Sequence, residues 1–189
     1  DKIICIGHNY QGHIGIGKTE LPDYPNLFCK TVNTITGHNQ PIVIPPVTSQ
    51  VDFEAELMTV IGKRAYRVTE EEAKDCIAGY TIFNDWSARD VQRAEMKVGL
   101  GPAKGKDFAS SLGPLIVTRE ALADRAVGRA GVYDLEMRAR VNGVEMSKGN
   151  LKDIFWSFGE IIARASQSVV LQPGDVLGSG TVGTGCLLE

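Results

Sequence analysis

The sequence predicts a strand-rich α+β fold. Strand-like segments outnumber helix-like segments along the 189 residues, and the two kinds of segment do not alternate regularly. Regular alternation is typical of a parallel sheet assembled from β-α-β units, so that architecture is disfavoured. Helical signals are confined to two or three segments, which we expect to lie at the periphery. The length suits one domain, and we expect residues 1–189 to form it.

The N-terminal part of the chain combines a buried strand with loop-forming residues. Lys2–Ile6 (KIICI) is short and apolar, as expected of a buried strand. Glycines at positions 7, 12, 15 and 17 predict a loop, which contains His8 and His13. From the residues alone, two polar surface side chains are the favoured interpretation of these histidines. Residues 21–50 hold five of the eight prolines, which predicts short extended pieces alternating with turns.

The most informative stretch is VDFEAELMTVI, at Val51–Ile61. It has the composition of a β-strand, yet period-two alternation puts three acids, Asp52, Glu54 and Glu56, on one face. Glu54 and Glu56 would then lie about 7 Å apart. Carboxylates this close shift each other's pKa unless a cation lies between them. A solvated strand face is the alternative interpretation, and it suits a lone E-x-E pattern better than a binding site does.

A third acidic residue favours a metal-binding site over a solvated strand face. Asp85 comes directly after a second strand-like segment, Ile77–Phe83. With Glu54 and Glu56 it would complete a set of hard oxygen ligands. Such a set suits Mg²⁺, Mn²⁺ or Ca²⁺ better than Zn²⁺.

Three segments carry helix signals. Thr69–Glu72 has the pattern of a capping box, which predicts a helix that runs to about Ile77 and stops at Gly79. Ser87–Glu95 predicts a short second helix. The longest helix is expected to begin at Asn150 and to bury an apolar stripe formed by Leu151, Ile154, Phe155, Phe158, Ile161, Ile162 and Ala165.

The C-terminal half also contains strand and turn signals. Pro114–Val117 predicts a strand, and clean alternation over Asp134–Val141 followed by Asn142-Gly143 predicts an antiparallel hairpin. The closing stretch Gly178–Gly185 is rich in glycine. By itself it is weak evidence for a phosphate-binding loop, since no Walker lysine and no β-α-β context accompany it.

Composition limits the classes of partner. The net charge of −3 and the pI near 5.7 leave no basic stripe, so nucleic acid is not an expected partner. No apolar run approaches the roughly 20 residues that span a bilayer, so no membrane contact is expected. The four cysteines lie far apart and form no CxxC motif, which predicts reduced, structural thiols. We expect a cytoplasmic protein, or an organellar one if a transit peptide precedes Asp1.

Four motifs together resemble the fumarylacetoacetate hydrolase superfamily. They are the E-x-E pair at Glu54 and Glu56, NDWSARDVQ at Asn84–Gln92, GK at Gly105-Lys106, and PGDVLGSGT at Pro173–Thr181. The motifs occur in this order at compatible spacings, and the resemblance runs from about Lys2 to Glu189. It implies a twisted β-roll or sandwich with a few peripheral helices. It also implies a homodimer that acts on a small 2-oxo acid.

The resemblance assigns roles to particular residues. Glu54, Glu56 and Asp85 are implied to hold Mg²⁺ or Mn²⁺, with Ca²⁺ also possible. Lys106 is implied to place a fixed positive charge beside that ion, next to a substrate carboxylate or a developing enolate. Gln92 and Thr181 are implied to contact the bound acid, again by the match of their motifs.

The resemblance also implies a general base. The segment after the first strand matches the family's GxNYxxH, which gives the role of base to His13 and not to His8. Many relatives carry a Glu three residues later, where this chain has Ile16. Glu189, at the end of the string GCLLE, is therefore the expected partner of His13, with Glu20 as a weaker candidate. The lysine of the FCK segment, Lys30, is expected to be a surface or structural residue.

These roles lead to a functional hypothesis with open alternatives. We expect metal-dependent hydrolysis of a C–C bond in an acylpyruvate or related 1,3-dioxo acid, in which Lys106 and the ion stabilise a pyruvate enolate. The first alternative uses the same site for decarboxylation, isomerisation, tautomerisation or hydration of a 2-oxo diacid. The second alternative belongs to another class: a non-catalytic Ca²⁺-binding β domain.

Overall fold

The computed structural model describes residues 2–10 and 23–188. Over these residues the chain is strand-rich, with a mixed sheet of seven strands, two smaller two-stranded pairings and three short α-helices. The predicted α+β class is therefore confirmed. No helix of the described ranges is long and apolar enough to cross a membrane. The four cysteines are free thiols, as the composition predicted.

The elements follow one another in the chain as eleven described strands and three described helices. The strands are β1 (Ile3–Gly7), β2 (Asn26–Lys30), β3 (Ile35–Thr36), β4 (Val51–Asp52), β5 (Ala55–Ile61), β6 (Ile77–Asn84), β7 (Ser87–Ala88), β8 (Ser110–Val117), β9 (Glu136–Val141), β10 (Val144–Asn150) and β11 (Val176–Gly178). The helices are α1 (Glu70–Ala73), α2 (Arg89–Met96) and α3 (Phe158–Ala165).

The seven-stranded sheet has the order β2-β1-β11-β5-β6-β8-β3. Its β1/β11 and β3/β8 pairs are parallel, and the other pairs are antiparallel. The acidic strand β5 lies near the centre, between β11 and β6. In the β5/β6 register Glu56 lies opposite Phe83, and Ala55 lies opposite Asn84. Residue 85, directly after β6, therefore lies next to residue 54.

The apolar core lies on both faces of this sheet. The larger cluster packs α3 and the segment before it against the sheet, through Tyr10, Tyr80, Phe158 and Ile161 among others. The smaller cluster consists of Ile3, Cys5, Met58, Phe83 and Val176, with partly buried neighbours. Because side chains alternate along a strand, Met58 lies on the same face of β5 as Glu56. The smaller apolar cluster thus lies beside the acidic site, on the same face of the sheet.

Two strand predictions need comment. The hairpin is confirmed: β9 and β10 pair antiparallel around Asn142 and Gly143, whose φ angles of 51° and 81° suit a tight turn. The stretch Val51–Ile61 is not one continuous strand. It breaks at residues 53–54, since β4 pairs with β7 while β5 joins the large sheet.

The first predicted helix is shorter than the sequence indicated. Thr69 caps α1 in a capping box with Glu72, as predicted. The α-helix ends at Ala73, however, and a 3-10 turn at Lys74–Cys76 leads directly into β6. Gly79 is not a helix stop but lies within β6. A Cβ atom there would meet the Val117 carbonyl oxygen at 2.5 Å, so glycine permits the close approach of β8.

The helix predicted to be the longest, α3, begins seven residues later than predicted and is no longer than α2. Asn150 caps only the 3-10 turn Leu151–Asp153, and Ser157 caps α3 in a capping box with Glu160. The N–H groups of Phe155 and Trp156 donate to the backbone and side-chain oxygens of Asn9, at 2.8 and 2.7 Å. These bonds tie the segment to the end of β1 and leave no continuous helix. Leu151, Ile154, Phe158, Ile161 and Ile162 are nevertheless buried, as predicted.

Candidate metal centre

Three carboxylates converge where β5 and β6 approach each other. Glu54, Glu56 and Asp85 each offer an oxygen within 4.8 Å of the others, and their exposed fractions are only 6%, 3% and 1%. The break before β5 and the end of β6 bring them together, because the Asp85 N–H donates to the Glu54 carbonyl oxygen at 3.2 Å. The Asn84 side chain accepts from the Glu54 N–H at 3.1 Å and fixes the same corner.

Lys106 joins two of these carboxylates. Its Nζ lies 2.6 Å from Glu54 Oε2 and 3.0 Å from Asp85 Oδ2, and the residue is only 3% exposed. The family resemblance implied a positive charge beside the acidic cluster at this position. The structure places that charge in direct contact with it.

Lys30 forms the second cationic contact; it was expected to be a surface or structural residue, and the surface alternative is wrong because the residue is buried. Its Nζ lies 2.5 Å from Asp85 Oδ1 and donates to the Ala109 carbonyl oxygen at 2.7 Å. The side chain is completely buried: Lys30 is the last residue of the edge strand β2, and its side chain reaches Asp85, directly after β6, and Ala109, directly before β8. The FCK segment was the available signal, yet a single lysine on a strand gives no local sign of burial.

Arg89 is a third cation, which sequence reasoning missed. Its guanidinium lies between Asp52 and Glu54, with Nε–Oδ2 at 2.8 Å and Nη1–Oε1 at 2.7 Å. Nη1 also donates to Gln92 Oε1 at 3.0 Å. Arg89 is 4% exposed and begins α2 directly after the NDWSA string. Its burial follows from the β4/β7 pairing, a long-range contact that no local pattern predicts.

The three carboxyl groups experience different electrostatic surroundings. Burial, followed by repulsion from Asp85 and Glu54, raises the pKa of Glu56 well above its usual range. Burial also acts to raise the pKa of Glu54, but the charges of Lys106 and Arg89 outweigh it and lower that pKa. Among the three, Glu56 is therefore the carboxyl group with the least compensating positive charge.

The residues fit a hard divalent cation. Glu56 Oε2 accepts from the Gly180 N–H at 2.9 Å, while Oε1 is buried and has no hydrogen-bond partner among the described residues. An oxygen of this kind requires a partner, and a cation supplies one. Three carboxylates, joined by no thiolate or imidazole in the part of the chain that the structure describes, are the donors that Mg²⁺ or Mn²⁺ prefers.

A cleft of about 680 Å³ opens onto this cluster. Its lining includes Glu54, Lys106, Gln92 and Thr181, so four of the predicted site residues face one space. Apolar side chains also line it, among them Leu27, Phe28, Met96, Leu100 and Leu188. The volume is in the range of small-molecule sites. The remaining two predicted residues, His13 and Glu189, lie outside the described residues.

The sequence matches a known family over nearly its whole length. Residues 2–188 match the family model described as fumarylacetoacetate (FAA) hydrolase, C-terminal. Among curated proteins, the chain is 36% identical over 183 residues to "Oxaloacetate tautomerase YisK" of Bacillus subtilis, which covers 95% of this chain and 58% of the relative. The chain thus spans little more than half the length of the curated relatives it matches.

Solved structures share the fold. The 5-carboxymethyl-2-hydroxymuconate delta-isomerase of Mycobacterium smegmatis matches with a TM-score of 0.79 at 35% identity, covering 98% of this chain and 68% of that one. The fumarylpyruvate hydrolase of Pseudomonas aeruginosa, solved with Mn²⁺ and pyruvate, matches with a TM-score of 0.82 at 25% identity. That match covers 98% of this chain and 79% of the other. The proteins similar to this chain therefore include tautomerases by sequence, and an isomerase and a hydrolase by structure.

Proposed function

The chain belongs to the fumarylacetoacetate hydrolase family, and on that premise we propose that it enolises a small 2-oxo diacid at a divalent metal centre. The observation that carries the proposal is the convergence of three buried carboxylates and Lys106 in one cluster, of which Glu54 and Lys106 line the cleft. Glu54, Glu56 and Asp85 would hold Mg²⁺ or Mn²⁺. When bound, such an ion supplies Lewis-acid polarisation of the 2-oxo group.

The side chains of the cleft each have a defined task in this proposal. Lys106 holds a positive charge where the oxygen of an enolate becomes negative, and its low exposure increases the effect of that charge. The Gln92 amide and the Thr181 hydroxyl face the same cleft and orient the substrate carboxylate. The apolar wall excludes water from the reacting carbons.

Keto–enol tautomerisation of a compound such as oxaloacetate is the reaction we favour. Several curated relatives that are 34–39% identical to this chain are named oxaloacetate tautomerases. The decisive assay follows the absorbance of the oxaloacetate enol, with Mn²⁺ added, for the parent and for Glu56→Gln. We expect acceleration by the parent and almost none by the variant. An exposed carboxylate on α1 provides the control, as Glu71→Gln. Equal rates with and without the parent protein would refute the proposal.

Hydrolysis of an acylpyruvate is the second candidate. It is favoured by the similarity to fumarylpyruvate hydrolase. Here a water molecule attacks the distal carbonyl, the C–C bond breaks, and pyruvate leaves as its enol before protonation of carbon. This reaction requires a base, the role proposed for His13 with Glu189. His13→Ala and Glu189→Gln should each lower hydrolysis by at least about 10², whereas decarboxylation of oxaloacetate, which needs mainly an electron sink, should fall much less.

The two reactions are separable in one preparation. An NMR assay of oxaloacetate and a small panel of acylpyruvates, with Mg²⁺ or Mn²⁺, reports enolisation, decarboxylation and cleavage together. Equal losses of tautomerisation and hydrolysis on His13→Ala would show that His13 moves a substrate proton instead of activating water. No turnover of any 2-oxo acid, with metal bound, would leave the non-catalytic Ca²⁺-binding domain as the better account.

We also propose that the chain pairs as a homodimer through exposed apolar side chains of β6 and β8. Ile82 on β6 and Leu115 and Ile116 on β8 are 63%, 60% and 55% exposed on neighbouring strands. Adjacent exposed apolar side chains are typical of an interaction surface. Light scattering on the parent and on Ile82→Lys tests this proposal, and a monomeric parent would refute it.

A further inference from the structure

Lys106 is carried by a segment with no regular secondary structure. Between α2 and β8 the chain forms only turns, and Lys106 lies in the turn at residues 103–107. Its N–H donates to the Ala103 carbonyl oxygen at 3.0 Å, as does the N–H of Asp107. The position of the Lys106 ammonium group therefore depends on what attaches this turn to the rest of the protein.

The main attachment is a single carboxylate, Glu95 of α2. Glu95 Oε2 accepts from the N–H groups of Ala103 at 2.9 Å and Gly105 at 3.1 Å, and Oε1 accepts from the Lys104 N–H at 2.7 Å. Three successive backbone N–H groups that converge on one anion form a nest. Burial acts to raise the pKa of Glu95, but these bonds outweigh it and lower that pKa.

The same turn also rests directly on the backbone of α2. A Cβ atom at Gly105 would meet the Gln92 backbone nitrogen at 2.7 Å, so only glycine permits this approach. The Gly105 carbonyl oxygen accepts from the Ala88 N–H at 2.7 Å. The residue that follows, Lys106, is thereby directed at Glu54 and Asp85.

We propose that Glu95 is a positioning residue for the reaction. Its carboxylate fixes the turn, the turn fixes Lys106, and Lys106 supplies the charge at the acidic cluster. The kinetic part of this inference rests on the proposed function, whereas the placement of Lys106 does not. Glu95 is only half-buried and contacts none of the three carboxylates, so its effect must pass through the turn.

The first test measures the placement of Lys106 without substrate or metal. Brief labelling of lysine amines with acetic anhydride, mapped by mass spectrometry, should leave Lys106 and Lys30 almost unmodified in the parent, because both are buried. In Glu95→Gln we expect labelling of Lys106 to rise at least fivefold while Lys30 stays protected. Lys30 is the internal reference because it lies on β2 and not on the turn. Unchanged protection of Lys106 would overturn the proposal.

The second test is a double-mutant cycle in the enolisation assay. Glu95→Gln should lower kcat at least about tenfold with KM within about threefold, since small misplacements of a catalytic group have large effects. In the Lys106→Met background the same change should add less than about twofold, because the group it positions is gone. Losses that multiply would overturn the proposal. If the parent shows no turnover, the proposed function fails, and the labelling test still decides the placement.

Two further variants guard against a general structural effect. Gly105→Ala should reproduce the labelling of Lys106, because its Cβ displaces the turn from α2 by a different route. Asp90→Asn is the matched control: Asp90 also lies on α2 and binds backbone, but it accepts from the Ser49 N–H at 3.0 Å and not from the turn. It should leave Lys106 protected. If Lys106 were labelled in Asp90→Asn to the same extent as in Glu95→Gln, a specific role for Glu95 would be refuted.

Discussion

Replacing Lys30 with Met removes one of the buried positive charges beside the acidic cluster. In the parent, four buried carboxyl groups face three buried cations. The carboxyl groups belong to Asp52, Glu54, Glu56 and Asp85, and the cations are Lys30, Arg89 and Lys106. The variant leaves Asp85 Oδ1 and the Ala109 carbonyl oxygen without the donor they share. Methionine fills a similar volume, so the change tests charge more than packing.

The expected loss of stability is large because both partners are inaccessible to water. The side chains of Lys30 and Asp85 are 0% and 1% exposed. Removing one partner of a buried ion pair typically costs about 3–5 kcal/mol. For a chain of this size, about 1 kcal/mol corresponds to about 2–4 °C in Tm. We therefore expect Lys30→Met to lower Tm by about 6–20 °C in EDTA.

Metal should restore part of that stability. A divalent cation offsets the negative charge that Lys30 no longer neutralises, so the variant should bind Mn²⁺ more tightly than the parent does. A ligand that binds only the folded state stabilises it by an amount that rises with the logarithm of the free ligand concentration divided by the dissociation constant. Urea denaturation followed by circular dichroism, in EDTA and in saturating Mn²⁺, should show a larger Mn²⁺ effect for Lys30→Met.

The control for this comparison is an exposed ion pair. Lys148 lies 3.3 Å from Glu136, with side chains 57% and 46% exposed, so Lys148→Met should change stability by less than about 1 kcal/mol. A loss below about 1 kcal/mol for Lys30→Met in EDTA would contradict the reasoning. An equal Mn²⁺ effect in variant and parent would show that Lys30 and the metal do not act on the same charge.

Three further changes test other parts of the site and fold. Lys106→Met should lower kcat on the order of 10²–10³, the range for loss of one oxyanion donor, and steady-state kinetics with metal occupancy checked measures this. Gly178→Ala should weaken Mn²⁺ binding, measured by calorimetry, because its Cβ would meet Glu56 Oε2 at 2.7 Å. Asp175→Asn should remove a pH-dependent contribution to the free energy of unfolding. Burial acts to raise the pKa of the Asp175 carboxyl group, but hydrogen bonds from Lys2 and Gln172 outweigh it and lower that pKa to about 2. Since the pKa is depressed in the folded state, this contribution to stability is present above about pH 4 and is lost as pH falls toward 2. Urea denaturation at several pH values across this range measures it.

Each of these three changes has its own control or contrary result. A kcat change under about threefold for Lys106→Met would show that its charge does not act on the substrate. Gly37→Ala is the control for Gly178→Ala, because only a Gln40 methylene at 3.8 Å lies near its Cβ position. Identical pH dependence of stability in the parent and in Asp175→Asn would refute the role of that carboxylate.

Local patterns in the sequence predicted several of the strands, among them β1 and β6, and brought forward Glu54, Glu56 and Asp85 as candidate ligands. The E-x-E spacing and the position of Asp85 after a strand-like segment both depend on alternation, a property of neighbouring residues. The hairpin at Asn142-Gly143 was equally local, since those residue types favour the positive φ angles that the turn needs. These parts of the site and fold could be read without knowledge of the pairing of strands.

The cations around the site depend on pairings that the sequence does not reveal. Lys30 on the edge strand β2 reaches Asp85 through the arrangement of the whole sheet, and Arg89 reaches Asp52 because β4 pairs with β7. The predicted start of α3 was wrong for a similar reason. Asn150 and Ser157 both have an acid three residues later, and the bonds from residues 155 and 156 to Asn9 decide in favour of Ser157.

The most direct test of the metal centre is calorimetric titration of Mn²⁺ into the parent and into Glu56→Gln. Glu56 is the informative ligand because its Oε1 has no partner among the described residues, and glutamine keeps an oxygen for the Gly180 N–H. We predict a single site in the parent and at least about 100-fold weaker binding in the variant, more than the 10–100-fold typical of groups that only support a ligand. Equal affinity of the two proteins for Mn²⁺ would contradict the account.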